Sequence, residues 1–380
     1  MKALVIGAGM MGSAMAYDLA HSDGVDEILV ADIDEEHAKS VAASLGKKAR
    51  PSKLDVGFYD DVVTLMREVD VALAATSYSH NYLLTMAAIE AGVHFCDLGG
   101  NMDVVDRQIS LDKQAKAANV CILPNCGLAP GMACVIAAGA AGKFDRVDEI
   151  HIRVGGLPQH PQPPLNYQLV FSAEGLINEY LEPAEVIRDG KLLKFESMTE
   201  CESLAFPGPF ESLEAFNTSG GISTLTRSYV GKVKNLDYKT IRYPGHCEKF
   251  KTLLDLGFAS SEPLIMAGTM STVREFFENL LRKKLPSNGP DVVLMRIELK
   301  GTVGGKSKTL AYEMVDYYDK GLNMTSMMRT TAFPTSIIGQ MVAAGTVSAR
   351  GVYPPEQCVP LDPFLKELRK RNIMIKESFS

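Results

Sequence analysis

The chain has 380 residues, of which 46% are hydrophobic and 22% are charged, and its net charge is −7 at neutral pH. This length is sufficient for two domains with separate cores. The negative charge disfavours nucleic acid and anionic membranes as partners, and no apolar stretch reaches the ~18 residues that a membrane-spanning helix needs. We therefore expect a two-domain cytoplasmic protein that acts on a small molecule.

The first 34 residues are the most informative part of the sequence. A short apolar run enters a turn that contains Gly7, Gly9 and Gly12, a helix of small residues follows, and a second apolar run ends at Asp32. This order predicts a dinucleotide-binding βαβ unit, in which the pyrophosphate approaches Gly9 at the helix N-terminus and Asp32 accepts hydrogen bonds from the ribose. The alternatives are a glycine-rich turn without a ligand and a secretory signal. The three glycines, the early strand pattern and the second strand argue against the signal.

Strands and helices alternate with short connections up to residue 124, which predicts a parallel sheet with helices on both faces. The further strands are expected at residues 50–56, 69–75, 93–97 and 120–124, and the helices at residues 37–45, 61–67, 82–91 and 109–118. Ligands bind at the carboxyl ends of such strands. The candidate cofactor-binding residues are therefore Gly7, Gly9, Met10, Met11, Gly12, Asp32, Ile33, Asp55, Ala75, Thr76, Ser77 and Tyr78.

The pattern changes after residue 130, because shorter strands and hairpin signals such as the Asp189-Gly190 turn replace the regular alternation. Strands are expected at residues 149–155, 237–243, 292–300 and 309–315, and helices at residues 132–141, 331–345 and 361–371. The predicted fold class is α/β: a Rossmann-type doubly wound parallel sheet in residues 1–130, and a second α+β domain with a mainly antiparallel sheet in residues 131–330. We expect residues 331–380 to pack back on the first domain. The second domain is expected to bind substrate and to form a homodimer or a higher homo-oligomer.

The residues that follow the second strand indicate which cofactor is bound. Asp32 is followed by Ile33 and Asp34, and no arginine occurs before Arg50. A 2′-phosphate would therefore face carboxylates without a guanidinium to neutralise it, which favours NAD over NADP. The 7 cysteines form no CxxC pair and no Cys/His metal pattern, so we expect reduced thiols and no metal site.

Seven stretches of the sequence carry a resemblance that runs nearly end to end. They are GAGMMG at 7–12, AIEAGVHFCDLGG at 88–100, PNCGLAPGM at 124–132, VGGLP at 154–158, FNTSGGISTL at 216–225, KTIRYPGH at 239–246 and RGVYPPE at 350–356. In these stretches the chain resembles the saccharopine dehydrogenase-like oxidoreductases, and among them most closely the bacterial lysine 6-dehydrogenases. The resemblance implies NAD-dependent oxidation of L-lysine at its ε-carbon, after which water releases ammonia and the semialdehyde cyclises to piperideine carboxylate.

This reaction needs a base that works near neutral pH, because the pKa of a lysine amine is ~10.4. The catalytic candidates are His246, whose imidazole titrates in the useful range, and Asp97, at a strand tip. Arg242 is the candidate partner of the α-carboxylate. The alternatives are a packing role for His246, a structural ion pair for Arg242 and hydrogen bonds from the following glycine turn for Asp97. The candidate substrate-binding residues are Tyr78, Asn101, Asn125, Thr218, Ser219 and Arg242.

Two other functions remain open from the sequence. One is a saccharopine or carboxynorspermidine dehydrogenase, which acts on a secondary amine. Its substrate carries additional carboxylate and would need more basic groups than the matched stretches offer. The other is a non-catalytic sensor, which binds NAD without turnover and needs no base opposite the nicotinamide.

Overall fold

The protein was analysed as a computed structural model that describes residues 1–266, 269–287 and 289–380. The chain divides into two compact units. Unit 1 contains Met1–Phe144, Ile222–Leu225 and Met328–Met374, and unit 2 contains Asp145–Gly221, Thr226–Met327 and Ile375–Ser380. The first boundary therefore lies at residue 144 rather than at the expected residue 130, because the apolar helix after residue 130 belongs to unit 1.

The elements have the following bounds. The strands are β1 (Lys2–Ile6), β2 (Glu27–Asp32), β3 (Ala49–Lys53), β4 (Val71–Ala74), β5 (His94–Asp97), β6 (Cys121–Leu123), β7 (Arg146–Pro158), β8 (Ala184–Arg188), β9 (Lys191–Phe195), β10 (Glu202–Leu204), β11 (Leu213–Asn217), β12 (Asn235–Arg242), β13 (Pro263–Met266), β14 (Thr269–Thr272), β15 (Asp291–Val303), β16 (Lys306–Tyr317), β17 (Gly351–Val352) and β18 (Lys376–Phe379). The helices are α1 (Met10–Ala20), α2 (Glu35–Ser44), α3 (Tyr59–Met66), α4 (Asn81–Ala91), α5 (Met102–Ile109), α6 (Asp112–Ala117), α7 (Met132–Ala141), α8 (Ala173–Leu181), α9 (Leu225–Tyr229), α10 (His246–Asp255), α11 (Val273–Lys284), α12 (Ser326–Ala343) and α13 (Leu361–Lys370).

Unit 1 is built on a seven-stranded sheet whose strands are all parallel, in the order β3-β2-β1-β4-β5-β6-β17. Strands such as β1 and β4 are fully or almost fully buried apolar runs, as expected for a parallel sheet covered on both faces. The order of the first six strands is that of a dinucleotide-binding doubly wound fold. The predicted Rossmann-type sheet is thus confirmed.

The C-terminal segment of unit 1 is bound to its first helix through a buried carboxylate. Asp18 on α1 accepts hydrogen bonds from Ser336 Oγ at 2.6 Å and from Arg371 Nε at 2.5 Å. Its side chain is 6% exposed and that of Arg371 is 12% exposed. Because a buried carboxylate needs a charged partner, Asp18 holds α12 and the end of α13 against α1.

Unit 2 is built on a nine-stranded mixed sheet. Its main path is β10-β11-β12-β7-β15-β16-β18, with β8 and β9 attached beside β12. The β7–β12 pair is parallel, and the other neighbours are antiparallel. The expected Asp-Gly turn connects β8 to β9, with positive φ angles of 50° at Asp189 and 78° at Gly190. The predicted second domain with a mainly antiparallel sheet is confirmed.

The two faces of this sheet have different surroundings. Side chains alternate along β12, so that Tyr238, Thr240 and Arg242 share one face, and Asp237 and Lys239 share the other. The first face carries a cluster of apolar and aromatic side chains from α8, α10 and α11. The second face carries ion pairs, such as Lys239 with the carboxylate of Glu202 at 2.8 Å. The candidate substrate-binding residue Arg242 therefore lies on the helix-covered face.

The helices between β5 and β6 differ from the sequence-based prediction. A single helix was expected at residues 109–118, but the chain forms α5 and α6, which are separated at Ser110 and Leu111. The Asn101 side chain accepts a hydrogen bond from Val104 N at 3.1 Å and so starts a helix at Met102, well before the expected start at residue 109. Among the helices of the described residues, none is long and apolar enough to cross a membrane.

Candidate active site

The glycine turn of unit 1 has a different constraint at each glycine. Gly7 has a φ of +94°, and a Cβ there would lie 2.8 Å from the carbonyl oxygen of Ala75. A Cβ on Gly12 would lie 1.7 Å from the carbonyl oxygen of Gly7, so this glycine allows the helix to pack on the turn. A Cβ on Gly9 would meet nothing within 4 Å. The space beside Gly9 is therefore open at the point where a pyrophosphate would approach.

The start of α1 and the end of β4 also fit a dinucleotide. Gly9 caps α1 without a side-chain hydrogen bond, and the first turn holds no acidic residue. The first N–H groups are thus available to an anion, which the helix dipole favours. Thr76 follows β4, and its hydroxyl is buried without a hydrogen-bond partner in the described part of the chain. An unsatisfied buried hydroxyl of this kind is expected where a bound ligand supplies the partner.

Asp32, at the end of β2, is positioned by two backbone N–H groups. One carboxylate oxygen accepts from Ala8 N at 2.7 Å, and the other accepts from Asp34 N at 2.9 Å. Each oxygen keeps a lone pair for a ribose hydroxyl. The residues of unit 1 therefore fit a nicotinamide dinucleotide, which would supply a hydride acceptor when bound.

The remaining predicted cofactor residues lie at the same edge of the sheet. Ile33 is 63% exposed and Met10 is 47% exposed. Asp55 accepts from Gly57 N at 2.8 Å, and Ser77 Oγ lies 3.0 Å from Ser79 Oγ. These two polar groups have contacts within unit 1, and a role for these residues in binding NAD stays a prediction.

Asp97 and Asn125 form a buried cluster in unit 1. Asp97 has no exposed surface and accepts hydrogen bonds from Gly99 N at 2.7 Å, Gln108 Nε2 at 2.7 Å and Asn125 N at 3.2 Å. Burial raises the pKa of the Asp97 carboxyl, while these donors act in the opposite direction. Asp97 thus makes the glycine-turn contact that was the alternative to a catalytic role.

Asn125 is also held by unit 1. It has a φ of +64°, and its Nδ2 donates to Ser223 Oγ at 2.6 Å. Ser223 belongs to Ile222–Leu225, the short segment of the chain that returns to unit 1. Tyr78 packs against the same turn, because a Cβ on Gly100 would lie 3.0 Å from the Cβ of Tyr78.

Asn101, a predicted substrate-binding residue, is the N-cap of α5, and we expect this cap to contribute to stability. We expect Asn101→Ala to lower the free energy of unfolding by about 1 kcal/mol, the usual cost of removing a helix N-cap. Asn101→Asp should retain most of the stability because aspartate also caps helices. Chemical denaturation and steady-state kinetics would measure both effects. A large rise in KM for the substrate without loss of stability would instead favour a substrate contact.

In unit 2, three side chains form a continuous hydrogen-bonded chain. Arg242 Nε donates to Tyr180 Oη at 2.8 Å, Tyr180 Oη lies 3.1 Å from His246 Nε2, and His246 Nδ1 lies 2.9 Å from the carbonyl oxygen of Leu165. A carbonyl oxygen only accepts, so Nδ1 carries the hydrogen, and Nε2 accepts from the Tyr180 hydroxyl. The direction of each hydrogen bond is therefore fixed.

This arrangement changes the interpretation of His246. Burial and the nearby charge of Arg242 lower the pKa of the His246 imidazole to about 3. The side chain is 1% exposed, and both ring nitrogens bond within unit 2. A neutral imidazole with both nitrogens bonded holds Tyr180 in position. The geometry thus favours the packing and positioning role over the predicted role as a base.

Arg242 is buried, and its guanidinium forms no ion pair within the described ranges of the chain. Its exposure is 3%, and no carboxylate among the described residues lies within salt-bridge distance of it. The guanidinium carbon lies 4.8 Å from the centre of the Tyr167 ring. Burial alone would lower the pKa of the guanidinium, but Tyr180 and Tyr167 outweigh this effect and raise it. Arg242 therefore keeps its charge, and a buried charge of this kind needs an anionic partner.

Glu179 lies beside Tyr180 on α8 and was not predicted from the sequence. Burial raises the pKa of its carboxyl to about 7, and the charge of Arg242 limits the rise. The side chain is half-buried, and its carboxylate accepts no hydrogen bond from the described residues. No sequence signal marks it, because Glu179 occurs in an ordinary helix, AEGLINEYL.

Thr218 and Ser219 pack between β12 and α8. Thr218 Oγ1 lies 2.7 Å from Thr240 Oγ1, and Ser219 N donates to the Glu179 carbonyl oxygen at 3.0 Å. These contacts bring Ser219 close to the helix that carries Tyr180 and Glu179. A contact of Thr218 and Ser219 with the substrate stays a prediction. The described residues contain no cluster of His, Cys, Asp and Glu that could hold a metal ion.

The order of the first sheet, its open glycine turn and the carboxylate at the end of β2 are those of a dinucleotide-binding domain, the class to which nicotinamide-dependent oxidoreductases belong. A family model described as the saccharopine dehydrogenase NADP binding domain matches residues 3–123, and one described as the saccharopine dehydrogenase C-terminal domain matches residues 127–374. The second match alone covers well over half of the chain. The chain therefore belongs to the saccharopine dehydrogenase family, which confirms the resemblance carried by the seven stretches.

Several known proteins are similar over most of the chain. Carboxyaminopropylagmatine dehydrogenase from Synechocystis is 22% identical and matches over 97% of this chain and 95% of that protein. Saccharopine dehydrogenase [NADP(+), L-glutamate-forming] from Saccharomyces cerevisiae is 22% identical over 98% of both chains. The chain spans about half, 47%, of the alpha-aminoadipic semialdehyde synthase of Mus musculus, to which it is 20% identical.

A solved structure shows the same fold. Saccharopine dehydrogenase (L-Glu forming) from Saccharomyces cerevisiae superposes with a TM-score of 0.81 over 100% of this chain and 99% of that chain, at 20% sequence identity. With the family assignment, this chain is a dehydrogenase of amine or amino-acid substrates that uses a nicotinamide cofactor.

Proposed function

We propose that the protein catalyses NAD-dependent oxidative deamination of L-lysine at the ε-carbon. A hydride leaves the carbon that bears the ε-amine, water adds to the resulting imine, and ammonia leaves. The products are the semialdehyde, ammonia and NADH, and the semialdehyde cyclises to piperideine carboxylate. The observation that carries this proposal is Arg242, a buried guanidinium without a carboxylate partner among the residues that the structure describes.

Arg242 matches a substrate with one amino-acid carboxylate. A guanidinium binds a carboxylate through two parallel N–H donors. The Nε contact with Tyr180 Oη and the Nη1 contact with the Ile241 carbonyl oxygen at 2.9 Å leave Nη2 and the second hydrogen of Nη1 for this purpose. Several other arginines of unit 2 already have carboxylate partners: Arg153 with Asp237 at 2.6 Å, and Arg274 with Glu278 at 3.0 Å. The unpaired guanidinium of Arg242 matches the single carboxylate of lysine. A substrate that contains a second amino acid carries more carboxylates and would need further unpaired cations.

The role proposed for the cofactor-binding unit rests on the fit described above. The nicotinamide would accept the hydride when bound, and Asp32 would bind the adenosine ribose. In unit 2, Tyr180 orients the guanidinium of Arg242, which binds the α-carboxylate. The ε-amine at the far end of the lysine chain is then the group that is left for oxidation.

The second candidate function is oxidation of a secondary amine. It is favoured by the relatives, because two of those that match nearly the whole chain are called saccharopine dehydrogenase and carboxyaminopropylagmatine dehydrogenase. Such an enzyme would release an amino acid or a larger amine instead of ammonia. A carboxynorspermidine dehydrogenase belongs to this second class.

A direct comparison of substrates separates the two candidates. Pure protein with NAD should form NADH from L-lysine and release ammonia at the same rate. Saccharopine should give a much lower rate. Formation of NADH from saccharopine but not from L-lysine would reject the lysine proposal and support the second candidate. Binding of NADH without turnover of any of these amines would support a sensor.

Cofactor choice provides a further prediction. The α2 N-terminus that follows Asp32 is capped by Asp34 and carries Glu35 and Glu36 in its first turn, so a 2′-phosphate would meet negative charge. We expect the wild-type protein to prefer NAD, although the matching family model and several relatives are named for NADP. Asp32→Ala should weaken NAD binding about 10–100-fold, the effect of losing hydrogen bonds to a charged group.

The same variant should bind NADP nearly as well as NAD. Fluorescence titration with NADH and NADPH would measure both dissociation constants. Asp23→Ala, at an exposed position in the α1–β2 loop of the same unit, is the matched control. Equal use of the two cofactors by the wild-type protein would contradict this prediction.

A further inference from the structure

Glu179 differs from the other polar side chains around Arg242. Tyr180 and His246 are fully engaged in hydrogen bonds with one another, with Arg242 or with a backbone carbonyl. The Glu179 carboxylate accepts none from the described residues, although the residue as a whole is only partly buried. The cluster thus contains one acid without a hydrogen-bond partner in the described part of the chain.

The backbone position of Glu179 is fixed, although no described residue donates a hydrogen bond to its carboxylate. Its backbone carbonyl accepts from Ser219 N at 3.0 Å, and its neighbour Tyr180 is held by Arg242. The last turn of α8 is therefore bound on one side to the FNTSGG stretch and on the other to β12. A carboxylate that is held on a fixed backbone and accepts no hydrogen bond from the described residues is suited to act as a reacting group.

We propose that Glu179 accepts the proton of the substrate amine, a proposal that rests on the amine-dehydrogenase function above. The substrate arrives as an ammonium ion, which cannot lose a hydride from the adjacent carbon until a nitrogen lone pair is free. Glu179 takes one ammonium proton, and the nitrogen lone pair forms the C=N bond as the hydride leaves the carbon. A bound nicotinamide would accept that hydride. The product of this step is an iminium ion, and Glu179 is now neutral.

Glu179 acts again after it returns its proton to solvent. Water attacks the iminium carbon and loses a proton to the carboxylate, which gives a carbinolamine. Glu179 then returns that proton to the nitrogen, and ammonia leaves as the carbonyl forms. The sum is one lysine, one NAD and one water giving one semialdehyde, one NADH and one ammonium ion, with one proton released.

The surroundings of Glu179 define the expected pH dependence. The ionisable groups of the cluster are Arg242 on β12, Tyr167 in the loop before α8, Tyr180 on α8 and His246 on α10. Arg242 stays protonated, burial raises the pKa of both tyrosines, and His246 stays neutral above pH ~4. Burial raises the pKa of Glu179 to about 7. Activity should therefore fall below pH 7, because Glu179 is then protonated and cannot act as a base.

Four proteins test the proposal: wild type, Glu179→Gln, Glu179→Asp and Glu174→Gln, an exposed position on the same helix. We expect Glu179→Gln to lower kcat with L-lysine about 10²–10⁴-fold, the usual contribution of a general base. KM and the melting temperature should change little, because the carboxylate accepts no hydrogen bond from the described residues that the substitution would remove. The decline below pH 7 should disappear from the residual activity.

The other two variants show whether the effect depends on a carboxylate at position 179. Glu179→Asp should keep a base and recover part of kcat with a decline at acidic pH, and Glu174→Gln should match wild type. A Glu179→Gln enzyme with near-normal kcat and an unchanged pH profile would overturn the proposal while leaving the amine-dehydrogenase function intact. A wild-type protein that oxidises neither lysine nor saccharopine would contradict that function as well, so the two failures are distinct.

Discussion

Replacing Arg242 with methionine should raise KM for L-lysine about 10²–10³-fold while kcat changes much less. The expected loss corresponds to about 3–4 kcal/mol, which is typical of removing charge-assisted hydrogen bonds to a carboxylate. The effect falls on KM because the α-carboxylate lies far along the chain from the reacting ε-carbon and is bound equally before and during hydride transfer. Steady-state kinetics at saturating NAD would measure both constants.

Three comparisons make this prediction specific. Arg242→Lys should be intermediate, because an ammonium keeps the charge but loses the planar fork. Arg282→Met is the matched control, since Arg282 is 51% exposed and pairs with Glu278. The Arg242→Met enzyme should also lose its preference for lysine over cadaverine, which lacks the carboxylate. An unchanged KM in Arg242→Met would show that the carboxylate binds elsewhere.

Replacing His246 with phenylalanine should raise KM for L-lysine by about 10–100-fold, because the Arg242 guanidinium is then held less firmly. Phenylalanine preserves the aromatic packing around His246, where the Phe250 ring is stacked at 5.7 Å. It removes the acceptor of the Tyr180 hydroxyl and the donor to the Leu165 carbonyl, and each unsatisfied buried group costs about 1–3 kcal/mol of stability. Without its partner, Tyr180 no longer fixes the guanidinium, and the carboxylate contact weakens.

The same substitution distinguishes a positioning role from a base. A base would lose kcat by about 10²–10⁴-fold together with the decline at acidic pH, whereas a positioning residue should leave the shape of the pH profile unchanged. His246→Gln supplies both a donor and an acceptor and should recover part of KM. A large loss of kcat with normal KM in both variants would restore His246 as the base.

His246 also predicts how stability depends on pH. Its pKa is about 3 in the folded chain and ~6.5 when unfolded. The unfolded state therefore binds more protons between these values, so the contribution of His246 is complete above pH ~6.5 and is lost as the pH falls toward 3. Denaturation at several pH values should give a shallower decline for His246→Gln than for wild type.

Much of unit 1 could be predicted because its signals are local in the sequence. The glycine spacing, the apolar strands and the acid at Asp32 are each recognisable within a short stretch of sequence, and the observed sheet is parallel as expected. Helix α5 was missed because its start depends on Asn101, which was interpreted as a ligand-binding residue rather than as a cap. The interpretation of one polar side chain therefore left one helix unpredicted.

The site of unit 2 could not be assembled from the sequence. Tyr180 and Arg242 are 62 residues apart, and the hydrogen bond between them depends on how α8 packs on β12. The sequence indicated that His246 and Arg242 carry chemistry, but the imidazole owes its low pKa to burial that only the folded chain shows. Glu179 carries no motif, and its environment alone distinguishes it from the other glutamates.

The fate of the lysine nitrogens tests the central claim most directly. Wild-type protein should be incubated with NAD and L-lysine that carries ¹⁵N only at the ε-position, and in parallel with lysine labelled only at the α-position. We predict that ¹⁵N-ammonia forms from the ε-labelled substrate in a 1:1 ratio to NADH, and that the α-labelled substrate yields only unlabelled ammonia. Labelled ammonia from the α-position, or NADH without ammonia, would contradict oxidative deamination at the ε-carbon.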